Sequence, residues 1–164
     1  MQLPEYPGYK LNYRRNFVEK SLESKAQDRV ISGLTFDLDD NPMEISVDTG
    51  TAAPASGERS ILPIEISFPL QSIALVPEGE DFVGRVVVFV AVRDEKGRQS
   101  DLQRREHEIR IPQSDFEAHR NDHSVYELPL LMRPGSVRIV VGVMDRLTRQ
   151  TSYSTIHRTV AHEG

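Results

Sequence analysis

Apolar residues recur along this chain with two different periods, and the change of period divides it into two regions. Val18, Leu22, Ala26 and Val30 recur every fourth residue, the spacing that lines one stripe of an α-helix and sets it against a sheet. Asn16 and Glu19, three residues apart, suit the helix start, because each side chain can satisfy an amide that the first turn leaves orphaned. The pattern predicts a helix over Asn16 to Val30 that docks through Val18, Leu22 and Ala26. The preceding Tyr9 to Tyr13 reads as extended. Asp37 to Pro42 and Thr49 to Arg59 are rich in Asp, Pro, Ala, Ser and Gly and read as loops.

After Ser60 the period falls to two. Leu62, Ile64, Ile66 and Phe68 alternate with Glu65 and Ser67, as a strand with one wet face requires. Val86, Val88, Val90 and Val92 form a second series, closed by the turn Asp94-Glu95-Lys96-Gly97 and returned by Gln103 to Ile111. Tyr126, Leu128 and Leu130 precede Arg133-Pro134-Gly135. A further hairpin then runs through Val137, Ile139, Val141 and Val143, the turn Asp145 to Thr148, and Thr151 to Val160. With a weaker candidate at Met43 to Thr49, the count predicts a mainly β fold: an Ig-like or fibronectin-like β-sandwich of about seven strands preceded by one N-terminal helix. Residues 1–35 would be the extended segment and helix, and 36–162 the sandwich. An internal echo agrees, since Ala91-Val92-Arg93-Asp94 and Arg98-Gln99-Ser100 recur 51 residues later as Gly142-Val143-Met144-Asp145 and Arg149-Gln150-Thr151. The shift preserves phase, so Val90 and Val141 should face one core and Arg138 the opposite side of its strand. Two copies are too few for a solenoid.

Length and charge narrow the partners. At 164 residues the chain suits one domain with one core. Its 20 Lys plus Arg against 25 Asp plus Glu give a net charge of -5, which offers no general attraction to nucleic acid or anionic lipid. The longest apolar stretch, near Val86 to Val92, is far short of a membrane span, and Met1 to Lys10 lacks the basic and apolar regions of a signal peptide. A soluble chain without an export signal is expected. The absence of Cys and Trp removes disulfides and thiolate chemistry and leaves Val, Ile and Leu to build the core.

The hairpin words Ala91-Val92-Arg93-Asp94-Glu95-Lys96-Gly97 and Arg133-Pro134-Gly135, running into Val141-Gly142-Val143-Met144-Asp145, join Tyr9-Lys10-Leu11-Asn12-Tyr13-Arg14-Arg15-Asn16-Phe17 in a familiar order. Together they resemble the segment that follows the von Willebrand factor A domain in bacterial VWFA-related proteins. The resemblance implies an extracytoplasmic accessory β-sandwich at the periplasm or cell surface, with the A domain and export signal elsewhere. The Asp-x-Ser-x-Ser metal motif of the A domain is absent, so no metal ligand carries over.

Candidate chemistry is sparse. His119 and His123 have the spacing of two metal ligands on one helix face, but Arg120, Asn121 and Asp122 between them suit a solvated loop. His107 lies between Glu106 and Glu108 and reads as a strand residue paired with carboxylates. His157 and His162 fall on or beyond the last strand. Asp37, Asp39, Asp40, Asn41 and Asp48 offer oxygen ligands, yet Pro42 stands where a calcium loop needs Gly, which favours a turn. Arg133, Arg138, Arg146, Arg149 and Arg158 face one local acid, Asp145, and read as a solvated strand face. No phosphate loop or nucleophile elbow is present. The expectation is therefore a non-catalytic module with no catalytic, cofactor or metal residues, docking on a neighbouring domain or another protein. A carbohydrate- or calcium-binding sandwich and a hydrolase assembled only in the fold are the alternatives.

Overall fold

A computed structural model describes residues 22–160. One helix, α1 (residues 22–33), precedes nine strands: β1 (Ser46–Thr49), β2 (Ala53–Pro54), β3 (Ser60–Pro69), β4 (Val76–Glu78), β5 (Asp81–Asp94), β6 (Gln103–Pro112), β7 (His123–Met132), β8 (Gly135–Asp145) and β9 (Thr151–Val160), with a single-turn helix α2 (Phe116–His119) between β6 and β7. The strands form two antiparallel sheets. Sheet A has β3 at its centre, with β7 on one side and β1 and β2 on the other; sheet B runs β6, β5, β8, β9, with β4 completing the start of β5. The chain is a mainly β sandwich, as its alternation predicts. β2 and β4, of two and three residues, are the strands the pattern misses, because so few residues carry no period.

The core between the sheets takes the inward set of every long strand: Leu62, Ile64, Ile66 and Phe68 from β3, Val86, Val88 and Val90 from β5, Ile109 and Ile111 from β6, Leu128 and Leu130 from β7, Ile139, Val141 and Val143 from β8, and Val160 from β9. Val90 pairs with Val141 across β5 and β8, and both are buried in this core, as the echo requires.

A second apolar layer explains why β5 reads as an unbroken apolar run. Its other face carries Val87, Phe89 and Ala91, which with Val140, Met144 and Tyr153 pack beneath Ala26, Val30 and Leu34 of the helical segment. β5 is thus buried on both faces. Close approach is made possible by Gly142, where a Cβ would lie 2.8 Å from Val30 Cγ2. Among the described residues the docking stripe is Ala26, Val30 and Leu34; Leu22, predicted to dock, is 39% exposed, whereas Leu34 is buried. Asn16, Val18 and Glu19 lie outside the described residues, as does the extended reading of Tyr9 to Tyr13.

The two echoed hairpins turn differently. Asp94 closes a three-residue loop by donating its amide to the Arg98 carbonyl, and Gly97 takes φ 82°. Asp145 closes a loop one residue longer onto Gln150, and Arg149 takes the positive φ of 67°. Thr148, which stands where the first turn has Gly97, is β-branched and disfavours that conformation. The sequence echo therefore holds through the outgoing strands and slips by one residue on the return.

Candidate interaction surface

The residues singled out by spacing are mostly engaged in local structure. His119 lies on α2 with Nδ1 2.8 Å from an Asp122 carboxylate oxygen, while His123 opens β7 opposite Pro69; the two imidazoles sit on different elements. Among the described residues no three His, Asp or Glu side chains assemble as metal ligands. His107 corrects its expectation. Its ring lies on the inward side of β6, 4.8 Å from the Tyr126 ring, and burial lowers its pKa. Its neighbours Glu106 and Glu108 point the other way, to Arg104 and Arg146 and to Arg85 and Arg110. His157 is exposed on β9 beside Arg138, and His162 is outside the described residues.

The acidic loop is a turn. Asn41 accepts from the Ile45 amide and donates to the Ile45 carbonyl, both at 2.9 Å, so one side chain closes the bend before β1. Asp37 pairs with Arg138 and Asp40 with Arg29.

The arginines also depart from a plain solvated face. Arg138 points away from the sandwich core, as its phase predicts, but its side chain is only 18% exposed because the end of α1 covers it. Its Nε donates to the Gly33 carbonyl at 2.7 Å, and neighbouring Arg93 donates to the Leu34 carbonyl and to Thr35 Oγ1. Both guanidiniums sit at the helix C-terminus, where free carbonyls and the negative end of the helix dipole favour cations. Arg146 pairs with Glu106, and Arg158 bonds Thr49 and Asp48. Asp145, read as the lone acid among them, is buried and accepts from the amides of Ala74, Leu147 and Thr148. It fixes two loops rather than balancing surface charge.

The outer face of sheet A is different. Sheet B is covered by α1, yet among the described residues no element lies on sheet A. Five rows cross its strands, one of them the pair Pro69 and His123. Ile61 pairs with Ala53 on one side and Leu131 on the other; Pro63 pairs with Pro129; Asp48, Glu65 and Glu127 stand in one row on β1, β3 and β7; and Ser46, Ser67 and Val125 form the next. Ile61, Val125 and Leu131 are 40%, 55% and 53% exposed. Glu65 faces Glu127 directly, an arrangement that repels in a sheet. A hydrogen bond to Glu127, partial desolvation, and the charges of Glu127 and Asp48 together raise the Glu65 pKa above its ordinary value. Alternation exposes these residues in the sequence, but the row appears only once the β1, β3 and β7 registers are known.

Comparisons with known proteins give no family. No family model matches the chain, and no curated protein does. Solved structures that the chain is similar to include a Northeast Structural Genomics Consortium target (14% identity, TM-score 0.46, covering 77% of this chain and 95% of that one). Another is the Bacteroides uniformis β-glucuronidase (12% identity, TM-score 0.41), of which the match spans 13% of the length and 71% of this chain. A Bordetella pertussis protein given the name ApaA matches at 10% identity and TM-score 0.41, over 76% of this chain and 98% of that one. Likenesses this distant carry no argument about activity or ligand.

Proposed function

We propose that this sandwich is a non-catalytic interaction module that docks on a neighbouring domain or partner protein through the outer face of sheet A. The observation that carries the reading is the asymmetry of the two outer faces. Sheet B hides Val87, Phe89 and Ala91 beneath α1, whereas sheet A leaves Ile61, Val125 and Leu131 in solvent. Ile61 and Leu131 are directly paired and continue into Pro63 and Pro129, with Val125 beyond the glutamates, and contiguous exposed apolar surface of this kind is a feature of contact sites. The hairpin motifs that resemble the segment after the A domain of bacterial VWFA-related proteins favour an accessory role outside the cytoplasm. No described helix is long and apolar enough to cross a membrane.

A photoreactive benzoylphenylalanine placed at Leu131 in the native cell tests this reading. It should give a discrete crosslinked product, while the same group at Lys25, exposed on α1 over sheet B, should not. Equal diffuse labelling from both positions would sink the proposal.

A further inference from the structure

We infer that the partner seated on sheet A is a second copy of this chain, packed face to face with its strands reversed, so that Arg59 and Arg133 of each copy meet Glu65 and Glu127 of the other. The inference rests on the interaction reading above and names the partner. Arg59 and Arg133 stand one place past Ser60 and Met132, the end pair of the β3–β7 ladder. The outward positions therefore run Arg59, Ile61, Pro63, Glu65 on one strand and, beside them, Arg133, Leu131, Pro129, Glu127 on the other. The face is basic at one end, apolar in the middle and acidic at the far end. Both arginines are exposed, and with Leu131 they line one cleft of about 470 Å³.

Two independent observations mark the ends. Among the described residues, Glu65 bonds Glu127 and neither meets a cation. Arg59 and Arg133 are the arginines whose guanidiniums meet no acceptor of the chain. Every other described arginine is engaged by a carboxylate, as Arg98 and Arg158 are, by a helix-end carbonyl, as Arg93 and Arg138 are, or by another group, as Arg105 and Arg149 are. Asp94, close by, is held by Arg98 at 2.7 Å, and Asp101 lines the same cleft without pairing with either arginine. The two ends cannot meet within one chain, because six residues of strand span about 20 Å. A two-fold axis in the plane of contact, perpendicular to the strands at the level of the Leu62–Leu130 pair, brings them together. It lays each basic end over the other copy's acidic end, with Ile61 over Pro63 and Leu131 over Pro129. A patch complementary to itself is what a two-fold dimer uses, and sheets stack face to face in this aligned way. Turning the second copy about an axis along the strands would set arginines on arginines and glutamates on glutamates, so charge fixes the orientation.

The test is sedimentation equilibrium of the full chain at low salt, where a monomer–dimer equilibrium is expected that physiological salt weakens about tenfold. Arg133→Glu and Glu127→Arg should each weaken the dimer by about tenfold or more, because either substitution sets like charges together twice across the two-fold axis. Mixing the two variants should restore dimerisation to the parental level, since each then supplies the charge that the other lacks. Leu131→Asp should abolish the dimer, and Lys25→Glu on α1 should leave it unchanged. An amide spectrum matching the parent's at dilution confirms that each variant folds. A chain that stays monomeric at millimolar concentration, a dimer indifferent to both charge reversals, or a mixture that fails to recover would overturn the inference. In cells, a Leu131 crosslink of about twice the chain's mass supports both readings. A discrete product with a different protein, and no recovery on mixing, keeps the interaction module and removes the second copy. Recovery on mixing with no crosslink in cells does the reverse.

Discussion

At the scale of single residues, Arg138 shows how a charge that looks dispensable becomes structural. Read from alternation it is a surface arginine whose loss costs little; in the fold its guanidinium holds the Gly33 carbonyl and Asp37. Removing a charged donor from a partly covered carbonyl costs about 2 kcal/mol, and Arg138→Ala should lower stability by that order in denaturant melts, with Arg138→Lys recovering part of it. Glu65 gives the opposite sign. Its pKa is raised in the folded chain by Glu127, by desolvation and by Asp48, so the folded state holds its proton more firmly than the unfolded state does. Stability tied to that proton is present below the ordinary carboxylate range and lost as pH rises through the raised value. Glu127→Gln should therefore raise the melting temperature at neutral pH and make little difference near pH 3. A variant less stable than the parent at pH 7 would show that the pair is not repulsive.

At the scale of elements, the helix and the strands were legible to different depths. The fourfold spacing placed a helix correctly over residues 22–30 but not its buried edge, because spacing fixes a stripe and not where along it the sheet lies. Leu22 stays exposed, whereas Leu34 is buried in one cluster with Val140 and Phe89. Leu34→Ala should cost about 3 kcal/mol through lost burial and the cavity left behind, and Leu22→Ala should change stability by no more than about 0.5 kcal/mol. Comparable losses at both would put the docking stripe back where spacing alone sets it. The inward faces of β3, β5 and β8 were readable because a buried face enforces strict alternation. The acidic row was not, since each of its residues is an ordinary exposed position on its own strand and they come together only through registers set by distant hydrogen bonds.

At the scale of the whole molecule, the paired valines of β5 and β8 test the sandwich itself. Val90 and Val141 meet in the middle of the core, so Val141→Asp would strand a charge there without a partner. The variant should fail to give a cooperative melt, and a stable, cooperative Val141→Asp protein would mean the strand faces the other way. The pairing of β3 with β7 has a consequence of another kind. Pro69 meets His123 and Ser60 meets Met132, so the central pair of sheet A joins two stretches with β4, β5 and β6 between them in the chain. Such a loop must be closed before any of its contacts form, which makes the pairing a late and slow event compared with the local hairpins of sheet B. During synthesis β3 emerges well before β7 and waits with Leu62, Ile64, Ile66 and Phe68 unsheltered. Over that interval Pro63 and Pro69, which lack amide protons, and Glu65 are what keep a lone apolar strand from pairing with its neighbours on other chains.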